Sequence, residues 1–214
     1  MRIVPASHQI LFMPEGQAIL QNVELAGRTC YKSEDKISPD SAAGFVKRLI
    51  KSGHHSVIEH ASLTVRFTCD RGVSHELVRH RLAAFSQEST RYANYAQDKF
   101  GNEITVIRPF FWDQDSDRYA LWRKAMERAE AAYLQLIEMG ARAEEARSVL
   151  PNSLKTEVVM TANLREWRHV LGLRCSQASH PQMRELMLPL LAELHRRLPP
   201  VFDDIYEKYQ GDSG

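Results

Sequence analysis

Residues 79–92 gather Arg79, His80, Arg81, Gln87, Glu88, Ser89, Thr90 and Arg91 into one short stretch that ends at Tyr92. A guanidinium presents a fixed fork of donors matched to phosphate or carboxylate oxygens, and Ser, Thr and Gln add the neutral hydrogen bonds that orient an anion. That is equipment for holding a phosphorylated small molecule. From the residues alone a plainer alternative stays open, a solvated basic turn at a helix end, where positive charge is favourable by about 0.3 to 1 kcal/mol. The polar run from Gln87 to Tyr92 weighs against it, because binding groups concentrate on loops that follow a helix.

The elements that must position this stretch follow from hydrophobic period and punctuation. Residues 61–70 alternate Ala, Leu, Val, Phe and Cys with Ser, Thr, Arg, Thr and Asp, the period of a strand with one buried face. Residues 73–82 read as a helix with Ser74 as its candidate cap, followed by a hydroxyl-rich loop through Tyr92 and a short strand over 103–107 that stops before Pro109. On such a helix Arg79, His80 and Arg81 fan out at steps of about 100°, so they face different ligands or different chains. Upstream, helices are expected over 16–30 and from a Ser38 cap and Pro39 to a stop at Gly53. Downstream, 116–139 carries Tyr119, Trp122, Met126, Tyr133 and Leu136 at helical spacing, a stripe that reads as core. A short helix over 141–150, a strand over 155–162 and a helix over 164–174 follow. Helix then continues from Pro181 to Tyr209, kinked at Pro189 and broken at Pro199 and Pro200. The class is α+β with helix in excess. The expected organisation is one domain over residues 1–209 and a loose tail at 210–214.

Composition narrows what such a chain can do. Its 214 residues are 43% hydrophobic and 26% charged, and 28 Lys plus Arg against 27 Asp plus Glu leave a formal charge of +1. No field over the whole molecule attracts nucleic acid or an anionic membrane, which counts against a module that docks RNA through the arginine-rich loop. No apolar run approaches a membrane span, and the first residues lack the apolar centre of a signal peptide. Cys30, Cys69 and Cys175 form no C-x-x-C pair, which fits a reducing, cytoplasmic compartment. Neither G-x-G-x-x-G nor G-x-x-x-x-G-K occurs, so a nucleotide must bind by other means. His75, Glu76 and His80 are spaced H-E-x-x-x-H; five helical positions turn about 500° and leave the rings about 140° apart, so they cannot chelate one ion from one helix. His54, His55 and His60 could still combine with distant groups, and a metal-dependent hydrolase using His54, His60 and His80 stays as an alternative that the spacing disfavours; no metal is assigned.

These residues resemble the flavin-dependent thymidylate synthases, whose hallmark is R-H-R, seven residues, then S. Here it is Arg79, His80, Arg81, residues 82–88, then Ser89, followed by the family's R-Y at Arg91 and Tyr92. Gly53, His54, Ser56, Glu59 and His60 resemble the G-H-x-[ST]-x-x-E-H segment, and Ala146, Arg147, Leu150 and Pro151 resemble A-R-x-x-L-P. Asn163, Arg165, Leu173, Arg174, Ser179, His180 and Gln182 extend the correspondence. Glu76, Gln87 and His169 stand where many members have Gln, Glu and Asn.

The resemblance implies helices packed on a central, mostly antiparallel sheet. It implies conversion of dUMP to dTMP, with 5,10-methylenetetrahydrofolate as carbon donor and NADPH as reductant through FAD, in a homotetramer with shared active sites. Carried over by position, FAD contacts fall on Ser56, Arg79, His80, Arg81, Gln87, Asn163, Leu164, Arg165 and His169. Contacts to dUMP fall on Glu76, Leu77, Val78, Arg79, Gln87, Glu88, Ser89, Thr90, Arg91, Arg147 and Arg174. Arg174 is the expected catalytic residue, a fixed cation beside the pyrimidine rather than a base. Ser89 is assigned to substrate binding, since no base adjoins it in sequence, and Cys175 to packing.

Overall fold

Alternation decides the sheet. The computed structural model describes residues 1–210, and among them are six strands: β1 (Arg2–Val4), β2 (Ser7–Phe12), β3 (Ser62–Asp70), β4 (Ala83–Gln87), β5 (Thr105–Ile107) and β6 (Lys155–Asn163). In β3 the side chains of Leu63, Val65, Phe67 and Cys69 are fully buried, and those between them are half-buried. β6 alternates in the same way, with Thr156, Val158, Met160 and Ala162 inside. Leu164 N donates to Ala61 O at 2.9 Å, and the Thr64 and Thr161 hydroxyls lie 2.9 Å apart. Partner numbers fall by three on one strand as they rise by three on the other, which is antiparallel register. The strand order is β2-β3-β6-β4, and a separate parallel pair sets Arg2 opposite Thr105 and Val4 opposite Ile107.

The helices are α1 (Gly16–Tyr31), α2 (Ser41–Lys51), α3 (Arg71–Leu77), α4 (Asp117–Glu138), α5 (Ala143–Ala146), α6 (Leu164–Arg174), α7 (Pro181–Arg197) and α8 (Pro199–Gln210). The chain divides into two compact units. One comprises Met1–Ser7, Phe67–Arg79 and Ser86–Val159; the other comprises His8–Arg66, His80–Phe85 and the chain from residue 160 on. In the first unit, Ile104, Val106, Tyr119, Trp122, Tyr133 and Leu154 form the core, so the stripe on α4 is packing as expected. In the second unit Trp167 is fully buried, and its indole N–H donates to Leu63 O at 3.2 Å, which satisfies the ring's one polar atom. There α1 and α2 approach so closely that a Cβ on Gly27 would sit 2.7 Å from the Phe45 ring.

Several elements differ from their expected bounds, each for a local reason. α2 begins at Ser41 after an Asp40 cap position rather than at Ser38, and Gly53 takes φ +74 beyond its end. α3 begins at Arg71 because Asp70, not Ser74, caps it, accepting from Val73 N at 2.7 Å. It ends at Leu77, so residues 78–82 are a turn and Arg79, His80 and Arg81 are not on a helix. The expected loop contains β4 instead, a short strand of alternating burial hidden among small and hydroxyl residues. α5 covers four residues and passes into a 3-10 turn, Arg147–Val149. α7 runs through Pro189, which contributes no N–H to it, and the break falls at Leu198. Gln210 closes α8 rather than opening a tail, and residues 211–214 lie outside those described.

Because Asp70 is 5% exposed and holds the first turn of α3, Asp70→Ala should lower stability by about 0.5 to 2 kcal/mol, whereas Asp70→Asn should retain most of it. Denaturant midpoints of the three proteins check this; coincident midpoints for wild type and Asp70→Ala would contradict it.

Candidate active site

α6 organises the second unit's polar cluster. Asn163 caps the helix by accepting from Glu166 N at 2.9 Å, which fixes where each later residue points. At about 100° per residue, His169 and Arg174 lie about 60° and 80° to either side of Glu166. All three meet one ring, that of His80, which the turn after α3 presents. Arg174 Nε donates to His80 Nε2 at 3.0 Å. His80 Nδ1 lies 3.5 Å from Glu166 Oε1. The His169 ring meets it edge-on, with centroids 5.7 Å apart. His80 and Glu166 are 5% and 6% exposed. Burial, with the Arg174 charge and His169 beside it, lowers the His80 pKa to about 4, so the imidazole is neutral at pH 7.

Beside this cluster is a cavity of about 530 Å3 lined by Glu59, Leu82, Asn163, Arg165, Glu166 and His169. Arg165 donates to Glu59 at 2.6 Å, and Leu82 stands 77% exposed. Arg79 and Arg81 are exposed, with no side-chain partner among the described residues. Ser56 is exposed on the 3-10 turn His55–His60, and Leu164 is wholly buried, so its side chain belongs to the core.

The first unit carries a second donor-rich cavity, about 500 Å3, whose lining includes Arg71, His75, Thr90, Arg147, Ser148 and Asn152. Arg147 Nη1 reaches Thr90 Oγ1 at 3.5 Å. Arg71 lines this cavity, and its Nη1 is buried with no hydrogen-bond partner among the described residues, at a cost of about 1 to 3 kcal/mol. From the sequence Arg71 is not singled out and His75 is weighed only as a metal ligand; their spacing of four on one helix is the signal that joins them.

The other expected nucleotide contacts are held differently. Gln87 donates its amide to Ser74 Oγ at 2.9 Å and Thr156 Oγ1 at 3.3 Å. The Glu88 carboxylate accepts from Lys155 Nζ at 3.0 Å and Tyr95 OH at 3.3 Å. Ser89 Oγ accepts from Arg91 N at 3.3 Å, and the Arg91 guanidinium lies 5.3 Å from the Tyr92 ring centre. Glu76 is half-buried, Leu77 is core and Val78 is exposed. Burial pushes the Cys69 and Cys175 thiols up to about 12, which keeps both protonated at neutral pH and denies Cys175 a nucleophile's role.

A family model described as thymidylate synthase complementing protein matches residues 15–200. The chain is 35% identical over 189 residues to a flavin-dependent thymidylate synthase of Geobacter sulfurreducens, covering 85% of this chain and 80% of the relative. It is 34% identical over 172 residues to the one from Pyrococcus furiosus, covering 80% and 70%. Among solved structures it resembles a UMP/dUMP methylase from Streptomyces cacaoi bound with 5-Br dUMP, with a TM-score of 0.76, 24% identity and 98% of each chain covered. That structural likeness speaks for the fold. With the family model spanning most of the chain and the intact R-H-R hallmark placed around a buried, neutral His80, the chain belongs to the flavin-dependent thymidylate synthases, a family of methyl-transferring enzymes.

Proposed function

We propose that this chain converts dUMP to dTMP in the cytoplasm, with 5,10-methylenetetrahydrofolate as carbon donor and NADPH as reductant, as a homotetramer whose sites are shared between subunits. The observation that carries the reading is the split within the hallmark. His80 is buried and neutral against Arg174, while Arg79 and Arg81 stand exposed without a protein partner among the described residues.

The donor set around the second unit's cavity fits FAD. Of the cavity's lining, Arg165 matches a pyrophosphate, Asn163 and His169 offer hydrogen bonds, and exposed Leu82 offers an apolar surface to a ring; Arg79, Arg81 and Ser56 belong to the FAD set by family position. Gln87 belongs to this set by family position. FAD, when bound, supplies the reducing equivalents drawn from NADPH. The chain's own residues do the rest. Arg71, Arg147 and Thr90 suit the dUMP phosphate, with Ser89 and Arg91 on the adjoining turn. Glu76, Leu77, Val78 and Glu88 complete the nucleotide set, by backbone position where their side chains are engaged or buried. Arg174 provides a fixed positive charge beside N3 and O4 of the pyrimidine, where negative charge develops as C6 is reduced. Exposed Leu82 and Leu173 in one unit, and Val78 and Tyr92 in the other, are apolar surface that assembly would bury. No helix among the described residues is long and apolar enough to cross a membrane.

Arg71→Ala and Arg147→Ala should each weaken dUMP binding by about 2 to 5 kcal/mol, read by titration calorimetry, because each leaves phosphate charge unpaired. Arg174→Ala should lower kcat for dTMP formation far more than it lowers dUMP affinity. Normal dUMP binding in both cavity variants, together with normal turnover in Arg174→Ala, would sink the reading. The neutral His80 has its own pH signature. Burial first, then Arg174 and His169, lowers its folded pKa from 6.5 to about 4, so the unfolded chain takes up this proton at higher pH than the folded one. The contribution to stability is present above about pH 6.5 and is lost as pH falls towards 4. Denaturant midpoints across that window should fall for wild type and fall less for His80→Gln.

A further inference from the structure

We propose that Glu166 is a positioning residue for Arg174 that acts through His80: its carboxylate holds the ring proton on Nδ1, so Nε2 is left to accept from Arg174 Nε and thereby to orient the guanidinium. The inference rests on the role given to Arg174 above.

Donor arithmetic settles which way the ring is wired. Arginine only donates, so at 3.0 Å from Arg174 Nε the His80 Nε2 must be the acceptor. A neutral imidazole then carries its single proton on Nδ1, the nitrogen that faces Glu166 Oε1 at 3.5 Å. That separation is a charge–dipole contact rather than a short hydrogen bond. With Glu166 and His80 both buried, the low local dielectric gives it weight. The opposite tautomer would set a bare Nδ1 lone pair against the carboxylate and an N–H against the Arg174 N–H. Both contacts would then be repulsive.

The same three groups, His80, Glu166 and His169, have ligand atoms within 4.8 Å of one another, close enough for a metal ion. An ion there would need the Nδ1 lone pair and would move the proton to Nε2, against the Arg174 donor; a guanidinium charge would also stand across the ring from it. The geometry selects a proton. Glu166 is placed for this by the Asn163 cap on its own backbone N–H, a bond that survives replacement of its side chain.

The test is the protonation pattern of the His80 ring nitrogens in the full-length protein at pH 7. It is read by NMR with isotopically labelled histidine, and the His80 signals are assigned by their loss in His80→Asn. Wild type and Glu166→Gln, which keeps an acceptor oxygen, should show a protonated Nδ1 and a bare Nε2; Glu166→Leu should show the pattern reversed or averaged. In turnover, Glu166→Leu should lower kcat about 10- to 100-fold with KM for dUMP little changed, and Glu166→Gln should recover most of that loss. A wild-type His80 protonated on Nε2, or a Glu166→Leu pattern identical to wild type, overturns the inference. Should Glu166→Leu fail to fold, the wild-type pattern and Glu166→Gln decide it: a ring protonated on Nδ1 in both, with turnover kept, supports it, and a wild-type ring protonated on Nε2 overturns it. Retained turnover in Arg174→Ala would remove the reading beneath it, whereas an unaltered nitrogen pattern in Glu166→Leu overturns the inference with that reading intact.

Discussion

A buried imidazole is tolerated when it is neutral and both of its nitrogens face groups of matching polarity, and the second unit is arranged around that condition at His80. Burial removes the water that would stabilise an imidazolium, and the Arg174 charge opposes protonation further. The neutral ring offers an acceptor on one side and a donor on the other. Arg174 and Glu166, both from α6, take those two sides. Arg79 and Arg81, the neighbours in sequence, are left outside in solvent. One buried ring thus separates the hallmark into a structural anchor and two exposed cations.

That anchor depends on backbone elements with plain physical causes. The antiparallel pairing of Ala61 with Leu164 and Thr64 with Thr161 delivers α6 at the end of a strand, and the Asn163 side chain starts the helix there. Trp167, one residue after Glu166, is locked into the core by its bond to Leu63 O, so the polar face of α6 cannot rotate without breaking that bond. In the first unit, the Asp70 cap sets the start of α3 and with it the places of Arg71 and His75. Caps that a sequence encodes with one residue therefore decide where charges in both units point.

How much of this was legible depended on whether the signal was local. β6 and α6 were read almost to the residue, because period-two burial stops at Asn163, a residue suited to capping a helix. α3 was misplaced since Ser74 and Asp70 are both acceptable caps, and only tertiary burial of Asp70 chooses between them. That error put Arg79, His80 and Arg81 on a helix and hid β4, whose five residues are too short and too rich in small side chains for alternation to stand out. The resemblance named His80, His169 and Arg174 by position, but the part played by Glu166 lay beyond it. Positions 80 and 166 are joined by folding alone, and no spacing along the chain connects them.

The central claim is that this hallmark, with its buried ring and exposed arginines, serves a flavin. The most direct measurement is the visible absorption spectrum of the full-length protein after it is mixed with FAD and desalted. Oxidised-flavin bands that remain with the protein are the predicted result; a desalted sample without them, from protein shown to be folded, would contradict the account.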